Sequence, residues 1–253
     1  MITLPPPTRV ERVMGTAVVF DIRDHEFNDD YLEEAASMLH WVDATFSVFR
    51  HDSEVSRIAR GELSVTDADL KVQVVLAICE ALRRDTKGAF DHRPDGTLDP
   101  SGYVKGWAVE QAVRILTGSG IDSFVVSAGG DIAVRGTPSD VGLWRTGIRD
   151  PLDPNAMLGT VELDNNAIAT SGLYERGTHI WGAGDLDNGL ASVSIVGPDL
   201  GIADALATAV FAAGLEDIAW LNSFPEYDLI AVTSDRRILR SPSAAFTSSA
   251  VSA

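Results

Sequence analysis

Apolar residues recur along this chain at two periods, and the switch between them separates helices from strands. Helical spacing governs four stretches. From Asp29 to Ser47, the residues Tyr31, Ala35, Met38, Leu39, Val42 and Phe46 fall near one face, with acids at the start, which predicts an amphipathic helix. A second runs from Asp67 to Arg84 with Leu70, Val74, Val75, Ile78 and Leu82 as its apolar face. The third begins at Tyr103 or Val104 and ends at Leu116, where Gly118 and Gly120 stop it. The fourth, from Gly201, is rich in alanine and is closed by Gly214.

Between these helices lie short β-rich runs: Ala17–Ile22, Phe124–Val126, Trp144–Pro151, Thr160–Leu163, a strand ending in Thr170-Ser171-Gly172, and Leu229–Val232. The segment Ala191–Val196 alternates with period two and reads as a half-buried strand. Residues 1–10 are rich in proline and extended. Residues 241–253 are small and polar and read as a frayed tail. Long helices alternating with separated strands predict an α+β fold: one domain over residues 1–240, with flanking helices, mixed or antiparallel sheets and two layers.

Composition narrows the function classes. With 253 residues and a formal charge of −17, the chain is large enough for a substantial core and is repelled by phosphate-rich partners. Nucleic acid and membrane insertion are not expected, since no apolar run is long enough to cross a bilayer. Cys79, the single cysteine, sits in an apolar run and reads as a small core residue. The N-terminus shows no basic segment followed by an apolar one, which reads as cytoplasmic.

Several polar positions have two readings. Asp99 and Ser101 cap the third helix, and Gly129-Gly130 makes a turn that a hairpin or a ligand would use equally well. Asp204 and Thr208, four apart, share one helix face. A carboxylate beside a hydroxyl is hard-oxygen chemistry suited to Mg2+, although Asp204 also complements a helix N-terminus. His179 stands among polar residues, as surface histidines do. Met14 and Phe49 read as core. Lys105 reads as surface.

The ordered set of motifs changes these odds. Gly88-Ala89-Phe90-Asp91, Asp99 followed by Lys105-Gly106-Trp107-Ala108, Gly129-Gly130-Asp131-Ile132, Ala169-Thr170-Ser171-Gly172 with Tyr174-Glu175, and Ile202-Ala203-Asp204-Ala205 with Thr208 together resemble the ApbE family of FAD:protein FMN transferases. The resemblance runs from Met14 to Gly214. It implies an ApbE-like domain with a flavin site between the layers. FAD would be held by Met14, Phe49, Ala89, Phe90, Asp91, Asp99, Lys105 and Ile180. Mg2+ would be held by Asp204, Thr208 and the main-chain oxygen of Gly102, and His179 would serve as base.

The implied reaction moves FMN from FAD to a Ser or Thr hydroxyl of an acceptor protein carrying a flavinylation motif, with release of AMP. Two departures from the family pattern stand out: a short loop between Asp91 and Asp99, and an altered segment after His179-Ile180. They keep open an FAD hydrolase and a non-catalytic FAD-binding protein, and a purely structural domain stands further off.

Overall fold

The computed structural model describes residues 9–138, 142–172 and 189–248. Among these residues eight antiparallel strands form the main sheet in the order β1-β2-β3-β4-β7-β8-β9-β10. They are β1 (Arg9–Val13), β2 (Thr16–Ile22), β3 (Phe124–Ala128), β4 (Asp131–Arg135), β7 (Ala167–Gly172), β8 (Leu190–Gly197), β9 (Asp228–Thr233) and β10 (Ile238–Arg240). A second antiparallel sheet of three strands, β11-β6-β5, is made by β5 (Trp144–Asp150), β6 (Asp153–Leu163) and β11 (Phe246–Ser248). The helices are α1 (Asp29–Phe46), α2 (Glu54–Ala59), α3 (Leu70–Asp85), α4 (Ser101–Gly118) and α5 (Leu200–Ala213). The fold is thus mixed α+β, with antiparallel sheets and flanking helices.

Helix starts follow local chemistry. The side chains of Asn28, Ser53, Asp69 and Asp199 each accept a hydrogen bond from a first-turn amide of α1, α2, α3 and α5. Gly214 closes α5 with φ +76°, in the left-handed region that glycine tolerates. Met14 and Gly15 form a two-residue hairpin between β1 and β2, both with positive φ.

The central strands are covered on both sides. Ala133, Ala167, Ala169, Val193, Ile195, Leu229 and Ala231 enter the core shared with the helices. Their neighbours Val134, Ile168, Val196 and Ile230 pack with Trp144, Ile148, Val161 and Leu163 of the small sheet. This corrects the half-buried reading of Ala191–Val196: every residue of β8 is buried, because the small sheet covers the face expected to meet water.

Two further expectations change. Residues 241–248 do not fray: β11 pairs with β6, Phe246 opposite Val161, and Ala244 is buried in the second core. In α3 the buried stripe is Val72, Val75, Leu76, Cys79 and Leu82, whereas Leu70 and Val74 are exposed. That helix carries two overlapping apolar stripes, and packing selects one of them.

Candidate active site at the crossing of two helices

Helices α4 and α5 approach closely because the residues at their contact are small. A Cβ added to Gly106 would lie 2.5 Å from the Leu200 carbonyl oxygen and 2.9 Å from Asp204 Cβ. One added to Gly201 would meet the backbone of Trp107 at 3.1 Å. A turn along α4, a Cβ on Gly102 would sit 3.3 Å from Thr208 Cγ2 and 3.5 Å from Thr208 Oγ1. Gly102 and Gly106 of α4 therefore face Thr208 and Asp204 of α5, each pair one helical turn apart.

Charged groups are buried at this crossing. Asp204, 1 % exposed, accepts from the Gly106 amide at 3.1 Å and lies 3.4 Å from the Lys105 ammonium, both contacts falling on Oδ2. Lys105 Nζ also donates to Asp131 Oδ2, and Asp131 is fully buried. The other oxygen of Asp131 accepts from the Thr170 amide at 3.0 Å. Ser171 Oγ and Thr208 Oγ1 stand 3.4 Å apart. Carboxylates persist at such depth only when paired and hydrogen-bonded. Here one ammonium serves two of them.

Lys105 also reaches a cleft of about 590 Å³ at one end of the main sheet. One wall is the Met14-Gly15-Thr16 turn with Gly129-Gly130. Another is Thr146–Arg149 of β5, and the floor carries the hydroxyls of Thr170, Ser192 and Ser194. Thr170 and Ser194 are linked to each other at 2.8 Å. The cleft therefore sets strand hydroxyls beside apolar side chains and glycine-bearing turns, a lining in which a few polar groups can orient a ligand.

The candidate residues sort into three groups. Lys105, Gly102, Asp204 and Thr208 come together at the crossing, and Lys105 and Met14 line the cleft. Lys105 is thus a half-buried ion-pair partner rather than a surface lysine.

Phe49, Ala89, Phe90, Asp91 and Asp99 stand outside the cleft lining. Phe49 is 88 % exposed after α1, which corrects its reading as core. The Phe90 ring is buried, with Cε2 3.4 Å from a Cβ built on Gly102, so it supports the start of α4. Asp91 is exposed and accepts from the Arg93 amide, and Asp99 Oδ1 accepts from the Ser101 amide. Pro100 holds the cap position of α4 and Ser101 is its first residue, which corrects the reading of Asp99 and Ser101 as caps. Between them, buried His92 and Leu98 anchor the short loop inward. Burial lowers the His92 pKa below its ordinary value. His179 and Ile180 lie outside the described residues.

Asp131 was missed. The signal was present: it follows the glycine pair and shares its strand face with Ala133, so a charge points into the helix layer.

The donor set suits one ion class. Among the described residues no group of three or more His, Cys, Asp or Glu could hold a metal. A carboxylate, a hydroxyl and a main-chain oxygen are hard donors, ill suited to the softer transition metals such as copper or zinc. They fit Mg2+, which keeps several waters and takes other ligands from phosphate. The Gly106 amide and the Lys105 ammonium both meet Asp204 at Oδ2.

The same fold occurs in solved structures. The ApbE protein of Thermotoga maritima superposes with a TM-score of 0.79 at 22% identity, over 92% of this chain and 96% of that one. The flavin transferase ApbE of Vibrio cholerae gives 0.77 at 22% identity, over 94% and 96%. These likenesses establish a shared fold. The ApbE family model matches residues 14–93 and 92–231, and the chain belongs to that family.

Curated relatives include the FAD:protein FMN transferases of Vibrio cholerae and Rhodobacter capsulatus. The first is 29% identical over 182 residues, 66% of this chain and 54% of that protein. The second is 31% identical over 207 residues, 76% of this chain and 36% of that protein. The matched region is thus about half the length of these relatives, or less. Among the described residues no helix is long and apolar enough to cross a membrane.

Proposed function

We propose that this chain transfers FMN from FAD to a Ser or Thr hydroxyl of an acceptor protein, in a Mg2+-dependent reaction that releases AMP. The observation that carries the reading is the crossing of α4 and α5, where Gly102, Lys105, Asp204 and Thr208 converge beside the cleft. In the reaction the acceptor oxygen forms a bond to the FMN-side phosphorus of FAD. The pyrophosphate P–O bond breaks, and AMP departs with the bridging oxygen.

Each step needs something these residues offer. Asp204, Thr208 and the Gly102 carbonyl would hold Mg2+, which when bound neutralises charge on the pyrophosphate. The Lys105 ammonium at the cleft wall adds a second positive charge toward the phosphates. Thr170, Ser192 and Ser194 present hydroxyls to the polar edges of the flavin portion. The two glycine-bearing turns let the ligand approach backbone closely. His179 would take the proton of the acceptor hydroxyl. Phe49, exposed and aromatic, would cover a ring of FAD.

The test is incubation of the purified protein with FAD and Mg2+, with and without an acceptor domain bearing the family motif. AMP is followed by chromatography and flavin fluorescence on a denaturing gel. A fluorescent acceptor band that vanishes with EDTA supports the reading. AMP with free FMN and no labelled acceptor would make the chain an FAD hydrolase. Bound FAD without AMP would make it a binding protein.

A further inference from the structure

We propose that Asp131 is a positioning residue that keeps Lys105 from closing the cation site. It holds the ammonium beside Asp204 without letting it become the sole partner of that carboxylate. This rests on the reading above that Asp204 and Thr208 hold a divalent cation.

The geometry separates the two carboxylates. Lys105 Nζ makes its closest contact with Asp131 Oδ2 and stands 3.4 Å from Asp204 Oδ2. Asp131 cannot follow the lysine elsewhere. It is the first residue of β4, directly after the glycine turn, paired with Ala128 in the register, and its Oδ1 takes the Thr170 amide at 3.0 Å. The ammonium is therefore tethered to the sheet, whereas Asp204 belongs to α5. On Asp204 the ammonium shares Oδ2 with the Gly106 amide.

Charge balance makes the consequence. One ammonium between two buried carboxylates leaves net negative charge, which a divalent cation can satisfy. Without the Asp131 charge, the ammonium is left with Asp204 alone. Lysine and cation then compete for one carboxylate in a place where water screens poorly. With Asp131 present, lysine and cation are held side by side.

Mn2+ is the probe, its binding followed by electron paramagnetic resonance with the full chain, alone and with FAD. Asp131→Asn retains a carbonyl oxygen for the Thr170 amide, removes the charge and replaces the oxygen that accepts from Lys105 by an NH2 group, with thermal unfolding as the check on folding. The expected result is Mn2+ affinity weakened by at least about tenfold, in keeping with loss of a charge-assisted partner. Adding Lys105→Met to that variant removes the competitor and returns affinity to the wild-type level or above.

Two results would overturn the inference. Asp131→Asn could bind Mn2+ as the wild type does. Alternatively the double variant could stay as weak as the single one, in which case Asp131 acts through its own charge or through the fold and not through Lys105. The underlying reading fails differently: wild-type protein would bind no Mn2+, or bind it undiminished after Asp204→Asn.

Discussion

The two faces of the main sheet use the same strands for different ends. Toward the helices, β4 and β7 present Asp131 and Ser171 at one end of an otherwise apolar surface, opposite Lys105, Asp204 and Thr208. Toward the small sheet, Val134 and Ile168 of the same strands meet Trp144, Val161 and Leu163. There the Trp144 indole N–H is satisfied by the carbonyls of Arg135 and Gly136, at 3.2 and 3.0 Å. The second face is a packed wall. The first can hold charge because glycines bring the two helices close enough for the Gly106 amide to reach Asp204. Lys105 links the two at the end of the sheet, where both chemistries reach the cleft.

The comparison can be broken from the wall side first. Trp144→Ala removes the largest side chain of the second core and is expected to cost about 3–5 kcal/mol of stability in denaturant unfolding. If the wall and the ion site are separate devices, Mn2+ affinity of the folded variant stays within about twofold of wild type. FAD affinity falls, since Thr146–Arg149 of β5 line the cleft.

Next comes the crossing itself. Gly106→Ala places a methyl where the Leu200 carbonyl and Asp204 Cβ stand, so the helices must part, at about 1–3 kcal/mol and with loss of cation affinity. Gly118→Ala, at the end of the same helix with nothing within 4 Å of an added Cβ, is expected to be neutral or to stabilise by up to about 1 kcal/mol. Equal losses from both substitutions would deny the crossing any special role.

The smallest effect sharpens the account of buried charge. Glu110 of α4 is paired with Arg135 at 2.8 Å, yet burial raises its pKa above the ordinary 4.5, with Arg135 only opposing the shift. The folded state then binds the Glu110 proton more tightly than the unfolded chain. This stabilisation is complete below the ordinary value and is lost as pH rises through the raised one. Melting temperatures of wild type and Glu110→Gln, compared from about pH 4 to about pH 8, should shift in favour of the variant as pH rises. A constant difference would show that Arg135 offsets burial fully.

Much of the helix layer was legible in the sequence. Periodicity located α1, α3, α4 and α5 to within a few residues, Gly214 marked the end of α5, and the spacing of Asp204 and Thr208 put both on one face. The caps Asn28, Asp69 and Asp199 were not read. What escaped depended on partners distant in the chain. Alternation in β8 showed one apolar face but could not show that β5 and β6 cover the other. The small residues after position 240 carried no signal of β11, whose pairing with β6 comes from a strand about 85 residues earlier. Gly106 stood in a recognised motif, yet only its contact with Leu200 explains why glycine is needed there. Asp131 was visible as a letter and hidden as a partner, since Lys105 lies 26 residues away on another element.

The most direct test of the central claim is to locate a divalent cation. Crystals grown with Mn2+ and FAD, with anomalous diffraction recorded at a wavelength sensitive to manganese, would place it without reference to activity. A peak is expected at the crossing of α4 and α5, within coordination distance of Asp204, Thr208 and the Gly102 carbonyl, with the pyrophosphate beside it. A peak elsewhere with FAD bound, or a Lys105 ammonium occupying that position in the presence of FAD and Mn2+, would contradict it.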